Sequence, residues 1–312
     1  MMSENRMPAV GIPRAMLYYR YGTLWEHFFR ALGVDTVLSP PSSRGILEAG
    51  TKLAPDESCL SLKMFMGHVE ALVGRCGQIF IPRYSNYGYT ELFCTRYEGL
   101  YDQARNIFRA SGQRFITCSI DAQNGSPEPK AYERFAEALG FSAREGRRAW
   151  QEASKAQKQH RKVEEQRQKE AMAKPGMKVL AAGHSYILSD PYLGKPILDC
   201  LEAAGAVCLR ADAADPEAAR KACAKFSPTC RWIVSEEIVG GVMQWKDQAD
   251  GIILISAFPC GPDSMTNEML IRRIKDKPVL PLVLDTQSGM AGIETRIESF
   301  LDIICFQKGE MV

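Results

Sequence analysis

Apolar residues fall along this chain in two patterns: short unbroken runs, and longer stretches spaced at three and four. The clearest run is Ile252-Ile253-Leu254-Ile255, which continues through Ser256-Ala257-Phe258 into the turn Pro259-Cys260-Gly261-Pro262. A run apolar on both faces predicts a strand buried in a parallel sheet. Residues 265–274 are amphipathic and predict a helix directly after it, with Asp263 or Ser264 placed to cap its N-terminus. Cys260 is therefore expected at the carboxyl end of a strand and beside a helix N-terminus. Open α/β sheets gather their ligands at such strand ends, and the positive end of a helix favours a thiolate there.

The same alternation recurs along the rest of the chain. Residues 7–12 predict a first strand, residues 19–32 a helix stopped by Gly33, and residues 34–38 a second strand before Ser39-Pro40-Pro41. Leu62, Phe65, Met66, Val69, Leu72 and Val73 repeat at three and four, so a helix follows Ser58-Cys59, with Ser58 as its cap and Cys59 in its first turn. Residues 78–82 predict a short strand, and a polar and aromatic loop then runs to Phe93-Cys94. A helix over 99–110 and a strand over 114–120 complete this part.

After Pro175-Gly176 a second set begins: strand 177–184, helix 196–204, strand 205–210, the run at 252–258, a buried strand at 277–284, a loop over 285–292 and a helix over 294–304. Residues 76–82 resemble residues 249–255, and both sets open as strand, helix, glycine, strand. The fold class this implies is α/β: two facing Rossmann-like domains with parallel sheets, residues 1–125 and 177–312. A helical charged segment, residues 126–176, joins them. Within it Tyr132, Phe135, Ala136 and Leu139 mark one amphipathic helix. Ala149, Trp150, Ala153, Ala156 and Val163 make a thinner stripe on a longer one.

Charge narrows the partners. The formal net charge is +2, but residues 144–174 hold ten Lys or Arg against five Asp or Glu, so the remainder is slightly acidic. A nucleic-acid-binding surface would need a basic face on the folded body, so no nucleic-acid partner is expected. No apolar run approaches the roughly 20 residues of a membrane-spanning helix, and no apolar stretch of signal-peptide length follows the N-terminus. A cytoplasmic location without membrane association is the expectation. The ten cysteines include no CxxC, which removes compact zinc-ribbon, thioredoxin-like and ferredoxin patterns. Any metal ligands must come from distant segments.

Cys59, Cys94 and Cys260 each lie on a turn or helix start among Pro, Gly or polar residues, whereas Cys200, Cys208 and Cys223 sit among Ala and Leu as small core residues do. Soft thiolates select iron–sulfur clusters, zinc or copper(I), and three of them from two domains can hold one iron–sulfur cube with its fourth iron open. Cys118, at another strand end, is the reserve ligand. His184, in Gly183-His184-Ser185-Tyr186, stands at a strand end as the candidate catalytic acid. Plain packing is the competing reading for each cysteine and for His184. His68 reads as a helix residue in the core, and Lys63 and Arg14 as charges that offset a cluster or phosphate, or as solvated surface.

At these residues the chain resembles a known family. Residues 11–19 (Gly-Ile-Pro-Arg-Ala-Met-Leu-Tyr-Tyr), Leu38-Ser39-Pro40-Pro41, Asp56-Glu57-Ser58-Cys59-Leu60, Phe80-Ile81-Pro82-Arg83, Cys94 and Cys260-Gly261-Pro262-Asp263-Ser264 look like the 2-hydroxyacyl-CoA dehydratase family, in its activase-related branch. The likeness spans nearly the whole chain outside roughly residues 125–176. It implies two Rossmann-like domains with an oxygen-sensitive [4Fe-4S] or larger iron–sulfur cluster, with Cys59, Cys94 and Cys260 at the ligand positions. It also implies an ATP-hydrolysing activase, carrying its own cluster, as the electron-donating partner. This chain has no GxxxxGK[ST] motif and reads as the electron acceptor rather than the ATPase.

Two departures qualify that picture. Where the family often carries Asp-Glu-His-Thr-Gly-Glu-Ala-Gly, this chain has Asp285-Thr286-Gln287-Ser288-Gly289-Met290-Ala291-Gly292, without the Glu, the His and the second Glu. Thr95-Arg96 also follows Cys94 where relatives commonly have proline. The expected function is thus an iron–sulfur protein of an anaerobe that accepts a low-potential electron for reductive or radical chemistry on an acyl-CoA or other small molecule, as a 2-hydroxyacyl-CoA dehydratase-like lyase or reductase component. It would act alone or as a homo- or hetero-dimer. The alternatives are a non-catalytic electron relay or accessory protein, and a metal-free Rossmann-like binder.

Overall fold

The computed structural model describes residues 7–309. The described chain divides into two compact units. The first comprises the chain up to Asp56 together with Leu62–His160, and the second comprises Glu57–Ser61 and the chain from Arg161 onward.

The first unit opens with β1 (Val10–Ile12), α1 (Tyr18–Ala31), β2 (Thr36–Leu38) and α2 (Arg44–Leu53). It continues through α3 (Leu60–Glu70), β3 (Gln78–Phe80), β4 (Arg83–Gly88), β5 (Glu91–Leu92) and α4 (Thr95–Ile107). β6 (Arg114–Ile116), β7 (Ser119–Asp121) and α5 (Glu128–Ala138) precede the long helix α6 (Ala143–Ala173). The second unit holds β8 (Lys178–Ala182), α7 (Ser185–Leu188), α8 (Lys195–Ala203), β9 (Val207–Arg210), α9 (Pro216–Phe226) and α10 (Ile233–Trp245). It ends with β10 (Gly251–Ala257), α11 (Gly261–Arg273), β11 (Val279–Leu284) and α12 (Met290–Lys308).

Each unit is built on a four-stranded parallel sheet with the same topology. The orders are β2-β1-β3-β6 and β11-β10-β8-β9, so in both the first strand lies between the second and the third. The α/β class and the parallel sheets expected from the apolar runs are therefore present. β10 is buried along its whole length, as a strand covered on both faces must be. The first unit instead concentrates aromatic rings, with Trp25, Phe28, Phe29, Phe80, Tyr132 and Phe135 in mutual contact. Burying one such side chain contributes about 1.5–3 kcal/mol.

Several elements differ from their sequence pattern for identifiable reasons. Residues 83–92 form strands rather than a loop: β4 pairs with β7 and β5 in a small third sheet, and its alternate residues Tyr84 and Asn86 are buried. Its period of two was visible, but polar side chains masked it. The expected strand over 114–120 is two strands in different sheets, parted at Thr117-Cys118. β11 is an edge strand with Val283 56% exposed, and Pro281, which has no N–H to donate, suits an edge rather than the buried position expected. The last helix begins at Met290, so the last three residues of the expected 285–292 loop are helical.

α6 is held by glutamines rather than by its apolar stripe alone. Ala149 and Ala153 are fully buried, but Val163 is exposed and the buried positions below them are Gln157 and Gln168. Gln157 accepts from the Leu24 N–H at 3.0 Å and donates to the Arg20 carbonyl at 2.8 Å, bridging a donor and acceptor one turn apart in α1. In the second unit Gln168 accepts from the Arg210 N–H at 3.0 Å.

α2 and α3 cross backbone to backbone at Gly50 and Gly67: a β-carbon at Gly50 would lie 1.7 Å from the Lys63 carbonyl oxygen, and one at Gly67 would lie 1.9 Å from that of Ile46. Beside this crossing, the fully buried His68 stands between Ser39 Oγ at 2.7 Å and Ser42 Oγ at 2.9 Å. One neutral tautomer satisfies both contacts. Burial first, then the Arg14 guanidinium, lowers the His68 pKa from 6.5 to about 4. Unfolding therefore takes up a proton between those values, so stability is complete above about pH 6.5 and is lost as pH falls toward 4. The gap corresponds to roughly 3 kcal/mol. Urea unfolding of His68→Gln at pH 7 and pH 4.5 is expected to show a smaller pH difference than the parent chain.

Candidate functional site

In the second unit, β8 and β10 are adjacent parallel strands whose connections diverge, with β9 beyond one and β11 beyond the other. The crevice outside the carboxyl ends of such a strand pair is where doubly wound sheets place ligands. Here β8 runs into Gly183-His184 and β10 into Phe258-Pro259-Cys260. Gly183 is required by proximity: a β-carbon there would lie 2.5 Å from the Ile255 carbonyl oxygen of β10. The approach seats His184 against the end of the neighbouring strand.

His184 leaves the sheet with extended backbone before α7 and is only 4% exposed. Its ring stacks on Tyr186 with centroids 4.7 Å apart, and Nε2–H donates to Asp263 Oδ1 at 2.7 Å. Asp263 is the third residue of α11 and 5% exposed. The helix starts earlier than its amphipathic pattern predicts: Cys260 occupies the capping position, Pro262 lies in the first turn, and neither Asp263 nor Ser264 is the cap. The Ser264 hydroxyl donates to the Cys260 carbonyl at 2.8 Å instead. His184, Cys260 and Asp263 each offer a ligand atom, and these atoms lie within 4.8 Å of one another.

Cys59 belongs to the same unit. The Leu60 N–H donates to the Phe258 carbonyl at 2.9 Å, which ties the start of α3 to the turn before Cys260. Cys59 immediately precedes α3 rather than lying in its first turn. Burial pushes the Cys260 thiol well up, and the Asp263 carboxylate and the Cys59 thiol add to the rise. Burial and the Asp263 carboxylate thus work against the thiolate expected at Cys260. A helix N-terminus carries about half a charge, which desolvation and a full carboxylate outweigh.

Polar atoms around these residues are left over. His184 Nδ1, Asp263 Oδ2, Ser58 Oγ and Ser61 Oγ are buried with no hydrogen-bond partner among the described residues. An unsatisfied buried group costs about 1–3 kcal/mol, so the His184–Asp263 pair, with one such atom on each residue, is suited to a further ligand. Soft sulfur with imidazole nitrogen is a donor set for zinc or iron.

The other expected residues lie in the first unit. Cys94 caps α4, half-buried, and its carbonyl accepts from the Tyr97 N–H at 2.9 Å. Cys118 sits between β6 and β7 at 1% exposure, where burial pushes its thiol far above the usual range. Lys63 donates to the Asp56 carbonyl at 3.0 Å, and the Arg14 N–H to Ser39 Oγ at 2.8 Å. Of the candidate ligands, the second unit brings together Cys59 and Cys260, with His184 beside Cys260. Asp263, read as a helix cap in the sequence, proves to be the partner of His184. Their separation of 79 positions leaves no local signal of that pairing.

The raised Cys260 thiol has a measurable consequence. At pH 8, mass spectrometry of the metal-free chain treated with iodoacetamide should find Cys260 modified more slowly than Cys59, and Asp263→Asn should speed its modification.

No curated protein matches the chain. The model of one protein family does, over residues 9–213, about two-thirds of its length. That range contains Cys59, Cys94, Cys118 and His184 and stops short of Cys260 and Asp263. The family is described as the CoA enzyme activase uncharacterised domain (DUF2229), related to the system of 2-hydroxyacyl-CoA dehydratases and their activases. With these residues covered, the chain belongs to the family of the CoA enzyme activase uncharacterised domain.

Proposed function

We propose that the chain is an iron–sulfur protein of an acyl-CoA enzyme system, one that takes a low-potential electron from an ATP-hydrolysing activase for chemistry on an acyl-CoA or a comparably hard-to-reduce small molecule. One observation carries the reading: Cys59 and Cys260, from distant parts of the sequence, each directly precede a helix, and the Leu60 N–H on the Phe258 carbonyl ties the two segments together within the second unit. Cys94 has the same placement before α4 in the other unit.

In this reading Cys59, Cys94 and Cys260 hold a [4Fe-4S] or larger cluster, and backbone N–H groups at the starts of α3, α4 and α11 offset its negative charge. The cluster, when bound, supplies one-electron reduction. The chain's own contributions are positional. β8 and β10 fix Cys260 and His184 at one sheet end, burial of His184 and Asp263 keeps water away, and Asp263 holds the Nε2 proton of His184.

A second reading, a non-catalytic electron relay, draws on the 285–292 segment. The Gln287 N–H and the Ser288 hydroxyl donate to Asp285 Oδ1 at 2.8 and 3.0 Å, so the one carboxylate in that segment is engaged within its own turn. With the cognate activase, ATP and a panel of 2-hydroxyacyl-CoA thioesters, turnover supports the enzyme, and an intact, reducible cluster without turnover supports the relay.

Anaerobic reconstitution with ferrous iron and sulfide tests the central claim. The parent chain should acquire iron, acid-labile sulfide and, once reduced, an electron paramagnetic resonance signal. Cys59→Ser, Cys94→Ser and Cys260→Ser should each lose most of all three. A parent chain that stays colourless and free of sulfide would overturn the proposal.

A further inference from the structure

We propose that His184, through Nδ1, is a direct metal ligand beside Cys260, so that the second unit carries a mixed nitrogen–sulfur centre rather than an all-thiolate one. The geometry that supports this is the cluster of one ring nitrogen of His184, Cys260 Sγ and a carboxylate oxygen of Asp263, which fall within 4.8 Å of one another.

The hydrogen bond from His184 Nε2–H to Asp263 Oδ1, 2.7 Å long, selects the tautomer. With the proton on Nε2, the lone pair on Nδ1 is available. That nitrogen is buried and has no partner among the described residues, within a residue only 4% exposed. A carboxylate holding one ring nitrogen while the other faces a metal is the arrangement that orients metal-bound histidines and strengthens them as donors. A His–Asp pair serving only to fill the core would not need to leave Nδ1 and Asp263 Oδ2 both buried and unmatched.

Rigidity adds to the fit. Cys260 is fixed by its N–H donating to the Ala257 carbonyl at 2.9 Å, and His184 by the close approach of Gly183 to Ile255. Ring stacking on Tyr186 holds the imidazole plane. Cys59 lies outside that group of three, but Leu60 ties its backbone to the same turn, so a shift of its side chain would bring a second sulfur to the metal. Two sulfurs and one imidazole nitrogen suit a divalent ion of the zinc and iron class with one position open to water or substrate. Metal would also offset the Asp263 carboxylate and the thiolates gathered in one buried place.

The inference shares Cys59 and Cys260 with the proposed function but requires neither Cys94 nor sulfide, so the two can fail separately. The test is titration of the reduced full-length chain with cobalt(II), without sulfide, followed by its thiolate-to-cobalt charge-transfer and visible bands. One cobalt ion per chain is expected. His184→Gln should weaken binding by more than tenfold, and Asp263→Asn by about 10–100-fold, as for removal of an outer-shell partner. Cys200→Ser, at a cysteine outside both proposed sites, should bind as the parent does.

X-ray absorption on the zinc-loaded parent chain needs no variant to fold, and it should find nitrogen as well as sulfur around the metal. Sulfur-only scattering, a His184→Gln chain that binds cobalt like the parent, or no cobalt binding at all overturns the inference. Nitrogen–sulfur ligation in a chain that takes up no sulfide would uphold it while the iron–sulfur reading falls.

Discussion

The parallel ladder between β8 and β10, in register from Gly251 opposite Val179 to Leu254 opposite Ala182, places two otherwise unrelated segments at one end of one sheet. Everything at the site follows from that alignment. A shift of one residue would turn every β8 side chain to the other face and carry His184 away from Asp263. The register is protected because both strands are buried and because Gly183 alone lets the chain pass the Ile255 carbonyl. The His184–Asp263 hydrogen bond and the position of Cys260 are consequences of backbone pairing rather than of local sequence.

A second constraint is polar. Each region where a helix must be held in place uses a buried polar side chain: His68 between two serines beside the α2–α3 crossing, Gln157 against the backbone of α1, and Gln168 at the end of β9. Such groups are costly if unmatched and directional when matched, so they fix orientation where apolar contact leaves freedom. This explains why α6, 31 residues long and mostly polar, keeps a defined face in each unit despite a thin apolar stripe. Beside Cys260 the hydrogen-bonded pair His184–Asp263 leaves one buried polar atom unmatched on each residue.

The two sheets share one topology while differing in what covers them. Aromatic rings fill the first unit and aliphatic side chains the second, so the likeness is one of chain path rather than of side chains. The strand order nevertheless puts the open strand ends at corresponding places. In the first unit Arg14 follows β1, its N–H on Ser39 and its guanidinium lowering the pKa of His68; in the second His184 follows β8 with Asp263. One unit thus presents a cation there and the other a sulfur, nitrogen and carboxylate group.

The sequence by itself determined the class of fold, the parallel strands and the placing of Cys59 and Cys260 beside helix starts, because unbroken apolar runs and Pro–Gly turns act locally; that α4 begins at Thr95, directly after Cys94 rather than at 99, is seen only in the fold. It also determined that the long segment over residues 126–176 is helical and charged. Tertiary structure alone decided the rest. Whether a polar alternation such as 83–88 becomes a strand depends on finding a partner in β7, and whether 277–284 is central or edge depends on its neighbours. The sign of the Cys260 shift likewise needed the fold, since a helix start favours a thiolate but burial beside Asp263 reverses it. Charges and donors act through space, and the chain's order does not record which of them will meet.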